Sequence, residues 1–277
     1  NLSFISDTTI AACQGQGCAM KDKFRENFKI ALPAALASLA IILVLSFNAN
    51  ITGAVIHEYE LIELIPYLIV LVGGIIGINV FIVLLLGILS GAIIMVATGA
   101  TAAIDLLTSM GTGAAGMFET TMVAILVSAI CALIREYGGF VWLLNAIKST
   151  FKNRKGGQLG MGILVGCMDI ATANNTVAIV MANPIAADMA KTYNISRRKT
   201  ASILDTFSCV FQGIIPYGAQ MLIAIATTAS AGYAITAFQI IPCLFYPFML
   251  LISSLVFIFL IPDHREYDGD DAEATEA

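Results

Sequence analysis

Of the 277 residues, 58% are hydrophobic and only 12% are charged, and the mean hydropathy is +0.89. A water-soluble domain is roughly half apolar and about a quarter charged, so this balance excludes an ordinary soluble globule and suits a surface that faces lipid. The apolar runs have helical length without strand alternation, which excludes a membrane barrel and predicts an all-α polytopic membrane protein.

In chain order, residues 1–20 come first: a polar stretch with no initiator methionine, no basic n-region and no cleavage site. They read as the middle of a membrane segment, and an N-terminal half of the same protein is expected to precede them. Continuous apolar segments follow at 28–47, 62–77, 79–98, 117–134 and 237–261, about five transmembrane helices near the 20-residue spanning length. Basic residues near helix ends mark the cytoplasmic side. They cluster at Lys21, Lys23, Arg25 and Lys29, at Arg135 to Lys155, and at Lys191 to Lys199, while the segments Asn48–Glu60 and Ala100–Gly116 carry acids alone and read as outside loops. Phe140 to Phe151 is amphipathic and is expected on the cytoplasmic surface.

Two segments differ from the rest. Segment 158–190 has basic clusters at both ends, and one straight helix cannot start and finish on the same side. It is predicted to be a re-entrant hairpin with arms of about 15 residues, a reach of roughly 22 Å, and a tip near Asp169–Thr176 at membrane depth. Non-helical backbone survives there only where protein buries it or water reaches it. Segment 200–230 crosses once as a helix broken by Pro216 and Gly218. The transmembrane domain is thus expected over 1–262. An acidic cytoplasmic tail over 263–277 accounts for most of the net charge of -5.

A weak internal repeat aligns Asp7 with Pro216 and Pro33 with Pro242 at a constant offset. The charge distribution gives the two copies opposite orientations, as in inverted-repeat transporters whose broken helices meet at the midplane.

Asp205 is the sharpest candidate, a carboxylate within the apolar run Ala201–Val210, with Ser208 and Gln212 on the same face at i+3 and i+7. An intramembrane carboxylate costs a few kcal/mol and is a functional candidate by default. The competing expectation is a pair with Arg198 or Lys199 near the interface. The hairpin tip offers Asp169, Asn174, Asn175 and Thr176, the first break offers Asp7 and Thr8, and the second offers Tyr217 and Gln220. A sodium ion needs several oxygens, and Asp205, Asn175 and Thr176 are the predicted set; a polar turn satisfying its own backbone, and a simply packed tyrosine, are the plainer readings. The cysteines Cys13, Cys18, Cys131, Cys167, Cys209 and Cys243 are scattered in apolar segments and fit neither a disulfide framework nor a zinc pattern. No cofactor is expected beyond Na+ as the transported ion.

These motifs carry a resemblance. Leu2-Ser-Phe-Ile-Ser-Asp-Thr-Thr9 resembles the Ser-Pro-Leu-Ser-Asp-Thr-Thr signature of the NhaC-type sodium/proton antiporter family, with Phe4 in place of its proline. Ile215-Pro216-Tyr217 is similar to its Ile-Pro-Trp, and Gly116-Met117, Gly138-Gly139 and Leu204-Asp205 also match. Asn174-Asn-Thr176 resembles the Ser-Asn-Thr hairpin motif of superfamily relatives that bind sodium and carboxylates. The resemblance implies a C-terminal portion of a multi-pass inner-membrane carrier exchanging Na+ for H+ by alternating access, with a cytoplasmic C-terminus. Expected partners are the lipid bilayer, Na+ and H+, with no nucleic acid; self-association as a homo-oligomer stays open.

The alternative is a sodium-coupled carrier or exchanger of a carboxylate (malate/lactate type) or amino acid. Against it, no Arg or Lys is expected deep in the apolar segments to neutralise an anion, although helix N-termini could do so. No nucleophile–base set or phosphate loop points to an enzyme.

Overall fold

The computed structural model describes residues 6–48, 61–76, 78–116, 118–261 and 266–267. Leu2–Ile5 of the first motif, Met117 and most of the acidic tail lie outside them. Among the described residues there are helices and no strands.

The chain divides into two compact units, one from residues 1–48 with 119–277, the other from 49–118. The smaller contains α3 (Ile65–Ile76), α4 (Val80–Ala97) and α5 (Ala103–Gly116). Gly73 of α3 abuts Val83 of α4, and Gly87 of α4 abuts Val70 of α3, so the absence of a Cβ lets these helices approach closely. The expected outside loop Ala100–Gly116 is corrected here: most of it is α5. Its Gly and Thr content reads as loop on propensity, but Ile104, Leu107 and Met110 recur at helical spacing.

In the larger unit, α1 (Asp7–Gln16) starts where Ser6 accepts from the Thr9 amide at 3.3 Å and ends at Gly17, whose φ of 61° suits glycine. Next, α2 (Met20–Asn48) carries Pro33 inside its 29 residues, a length of about 43 Å. The chain continues through α6 (Phe118–Glu136) and α7 (Gly139–Thr150), the latter replacing the expected amphipathic stretch almost residue for residue.

The predicted hairpin is present as α8 (Arg154–Thr172) and α9 (Asn175–Thr192), with arms of 19 and 18 residues. Its outer ends meet: Gly157 abuts the Tyr193 ring, and the Tyr193 hydroxyl donates to the Phe151 carbonyl at 2.5 Å. The turn is tighter than the expected Asp169–Thr176, because Ala173 turns the chain at φ 48° and Asn174 immediately caps α9 by accepting from the Val177 amide at 3.0 Å. Asp169 is therefore in the last turn of α8, and Asn175 and Thr176 open α9.

The broken helix is also present, as α10 (Arg197–Ile214) and α11 (Ala219–Ser230). Pro216 forces the residue before it out of helical geometry, and Ile215 has ψ 120°. Gly162 and Gly166 of α8 lie against Phe207 and Phe211 of α10, so the first hairpin arm and α10 pack as parallel neighbours at close range. The segment 237–261 is not one straight helix: α12 (Ala237–Ile240) and a short 3-10 turn meet α13 (Phe245–Phe259) at 52°.

Among the described residues, two helices are long and apolar enough to cross a membrane, Met20–Phe47 and the α10–α11 run, or three if the bent pair counts as one span. The molecule is a helical, multi-pass membrane protein; α3 and α4 are apolar but shorter.

Candidate functional site

All the candidate polar side chains fall in the larger unit, where α1, the hairpin and α10 pack on one core. The second break meets the hairpin tip. The Tyr217 hydroxyl donates to the Ile170 carbonyl at 2.6 Å, and the Gln212 amide donates to the Ala173 carbonyl at 3.3 Å and to Gln220 Oε1 at 2.8 Å. These bonds serve the C-terminal carbonyls of α8, which have no partner within their own helix. The first break meets the same tip from the other side, with the Thr176 hydroxyl donating to Asp7 Oδ2 at 2.7 Å.

Asp205 is wholly buried in the middle of α10. Its partner is neither Arg198 nor Lys199. Lys23 of α2, also wholly buried, donates from Nζ to Asp205 Oδ2 at 2.5 Å and to Thr9 Oγ1 of α1 at 2.7 Å. Asn27, one turn along α2, donates to the same carboxylate oxygen at 2.9 Å and accepts from the Ser202 hydroxyl at 2.5 Å. The Ser6 hydroxyl donates to Thr9 at 3.0 Å and lies 3.1 Å from Thr8. A polar chain thus runs from Ser6 through Thr9, Lys23 and Asp205 to Asn27 and Ser202, crossing three helices.

That chain corrects one expectation. A Lys does lie inside the packed structure, bound to an acid. Lys199 is buried as well, its Nζ 5.5 Å from the centre of the Phe257 ring. The packing singles out Lys23: the buried positions of α2 are Lys23, Glu26, Asn27, Ile30, Ala31, Ala34 and Ser38, one stripe at i+3 and i+4 spacing. Lys23 and Asn27 continue the small-residue face inward, whereas Lys21, Arg25 and Lys29 are exposed.

The proposed sodium set is not brought together. Thr176 is bonded to Asp7, and Asn175 Oδ1 accepts from the Thr176 amide at 3.0 Å. Gln212, which does touch the tip, is seven residues beyond Asp205 in the same helix, about 10 Å along the axis. Ser208 is buried between them and its hydroxyl lies 3.5 Å from the Asp205 backbone carbonyl. Two levels result: an ion-paired one around Asp205, and an oxygen-rich one around the tip.

Both levels contain buried acceptors with no donor. Asp205 Oδ1, both carboxylate oxygens of Asp169 and Gln212 Oε1 lack a hydrogen-bond partner. Buried polar atoms are rarely left so, and oxygens without donors are what an entering proton or cation can use. Among the described residues, no cluster of three or more His, Cys, Asp or Glu side chains could hold a metal ion.

No curated protein and no solved structure matches the chain. The model of the Na+/H+ antiporter family matches residues 48–261, most of the sequence, including the hairpin, Asp205 and both halves of the broken helix. A helical, multi-pass membrane protein agrees with that match, and the chain belongs to the Na+/H+ antiporter family, a family of transporters.

Proposed function

We propose that the protein exchanges Na+ for H+ across the cytoplasmic membrane by alternating access, and that the Lys23–Asp205 pair is where the two ions compete. The observation that carries this reading is the pair itself, wholly buried and bonded at 2.5 Å, with Asp205 Oδ1 still open. An ionised acid without a counter-charge costs several kcal/mol in such surroundings, so Asp205 needs a cation beside it at every stage. In the empty site that cation is the Lys23 ammonium. When Na+ enters on Asp205, the site stays neutral only if the pair gives up a proton. The proton leaves from Nζ, and its electron pair stays on the lysine nitrogen. Reversal on the other side completes an exchange in which charge in the site never accumulates.

The hairpin tip and the two breaks support alternating access. Tyr217, Gln212 and Thr176 each tie one moving edge to another by single hydrogen bonds, which are worth about 1 kcal/mol and can be exchanged. The inverted-repeat relation of the two breaks fits the same picture. Asp7, Thr8, Asn174, Asn175 and Gln220 then line the tip level through which the ion passes, and Asp169 stands there as a second acceptor.

The test is exchange in vesicles, following an internal pH dye under an outward proton gradient. Na+ should dissipate the gradient in the parent protein and not in Asp205→Asn. Dissipation by malate or lactate instead of Na+ would favour the carboxylate carrier, for which Lys23 would be the neutralising cation.

A further inference from the structure

The exchange reading leaves the acidic segment beyond Tyr267 unused, although Tyr267 itself is firmly placed. Its main-chain N–H donates to Asn194 Oδ1 at 2.8 Å. Its ring centre is 5.5 Å from Arg197 Cζ and 6.0 Å from Lys191 Nζ, and the ring packs against the core of the larger unit. Asn194 holds φ 54°, a backbone state that asparagine tolerates better than most residues, and it shapes the turn between α9 and α10. Arg197 also covers the end of α1, since a Cβ on Gly17 would stand 2.9 Å from Arg197 Nη1. Tyr267 therefore sits where the ends of α1, α9 and α10 come together.

The charges on the two sides are complementary. After Tyr267 come Asp268, Asp270, Asp271, Glu273 and Glu276. The junction presents Lys191 and Arg197, whose charged groups lie 6.0 Å and 5.5 Å from the Tyr267 ring centre. Nine residues reach roughly 30 Å when extended, and the carboxylates that follow an anchored Tyr267 start beside these two cations.

We infer that the α9–α10 junction is a docking surface for the acidic segment Asp268–Glu276 of this same chain, anchored by Tyr267, and that the docked segment restrains the helices that hold the ion pair. The anchor grips α9, α10 and, through Arg197, α1. Those helices supply Thr176, Asp205 and Thr9, so relative movement among them breaks the anchor first. The acid–base part is exposed and weakens as salt shortens the screening length, about 10 Å at 0.1 M.

Trp142 is the single tryptophan, so Tyr267→Trp in a Trp142→Phe background reports the anchor in the full chain without requiring transport. The expected emission is blue-shifted and poorly quenched by acrylamide at low salt, with that protection lost in Arg197→Ala and in the joint change of Asp268, Asp270 and Asp271 to Asn. A tryptophan equally open in the parent overturns the docking, and so does one equally protected when the acids are neutralised. The restraint is read separately, and it rests on the exchange proposed above. Removing Asp268–Glu276 should raise the initial Na+-driven rate about threefold, the scale of one or two exposed ion pairs. An unchanged rate in an actively exchanging protein overturns the restraint, whereas absence of exchange in the parent counts against the proposed function and leaves the tryptophan result standing.

Discussion

Consider Lys23→Met, which removes the ammonium but keeps most of the apolar stem. Lys23 and Asp205 are both wholly buried and touch at 2.5 Å, so the substitution strands a carboxylate whose other oxygen already lacks a donor. Breaking a buried pair from one side costs about 3–5 kcal/mol. Asp205→Asn alone strands the ammonium and should cost a similar amount, partly relieved because Thr9 still accepts from Nζ at 2.7 Å. The double variant buries no net charge and should be more stable than Lys23→Met alone. The cycle should thus show a coupling of at least about 2 kcal/mol, against 1 kcal/mol or less for a solvated pair. Thermal unfolding of the purified protein in detergent measures all four forms. Additive losses would refute the claim that these two charges share one buried site.

Asp205→Glu should keep reduced exchange with a changed apparent Na+ affinity, because the charge survives one methylene out of place; initial rates across Na+ concentrations check this. Tyr217→Phe removes the 2.6 Å bond to the Ile170 carbonyl and should cost about 1 kcal/mol, read as a small loss of thermal stability with slower exchange. Gly166→Leu places a side chain where the Phe211 ring lies and should prevent α8 from seating on α10, lowering the yield of folded protein far more than Gly111→Leu, where nothing lies within 4 Å. Single cysteines at Lys155 and Lys191 should be labelled from the same side of the membrane, and labelling from opposite sides would make the hairpin an ordinary crossing.

The hairpin and the broken helix were legible because each is written in residues with strong local rules. Basic clusters at both ends of one apolar segment favour a return to the same side, and Pro216 with Gly218 two residues on favours a break in the helix. Asp205 was legible because a carboxylate in an apolar run stands out. Its partner was not, because Lys23 sits among Lys21, Arg25 and Lys29, and a reading by residue type counts all four as markers of a membrane side. Only the packed stripe from Lys23 to Ser38 separates the inward lysine from its outward neighbours. The oxygens of the sodium set were matched by type, and residue type does not show which neighbour each one bonds: Thr176 donates to Asp7, and Asn175 Oδ1 accepts within its own turn. The bend at Leu244 escaped because apolar residues fill both arms, and hydropathy does not register a change of direction.

The central claim is that Na+ and a proton compete at the Lys23–Asp205 pair. Titrating Na+ into the purified protein in weakly buffered detergent, with bound 22Na+ and released protons followed together, tests this most directly. The account predicts a proton released for each Na+ that binds at this pair, and loss of both signals in Asp205→Asn. Sodium binding without proton release, or binding that persists unchanged in Asp205→Asn, would contradict it.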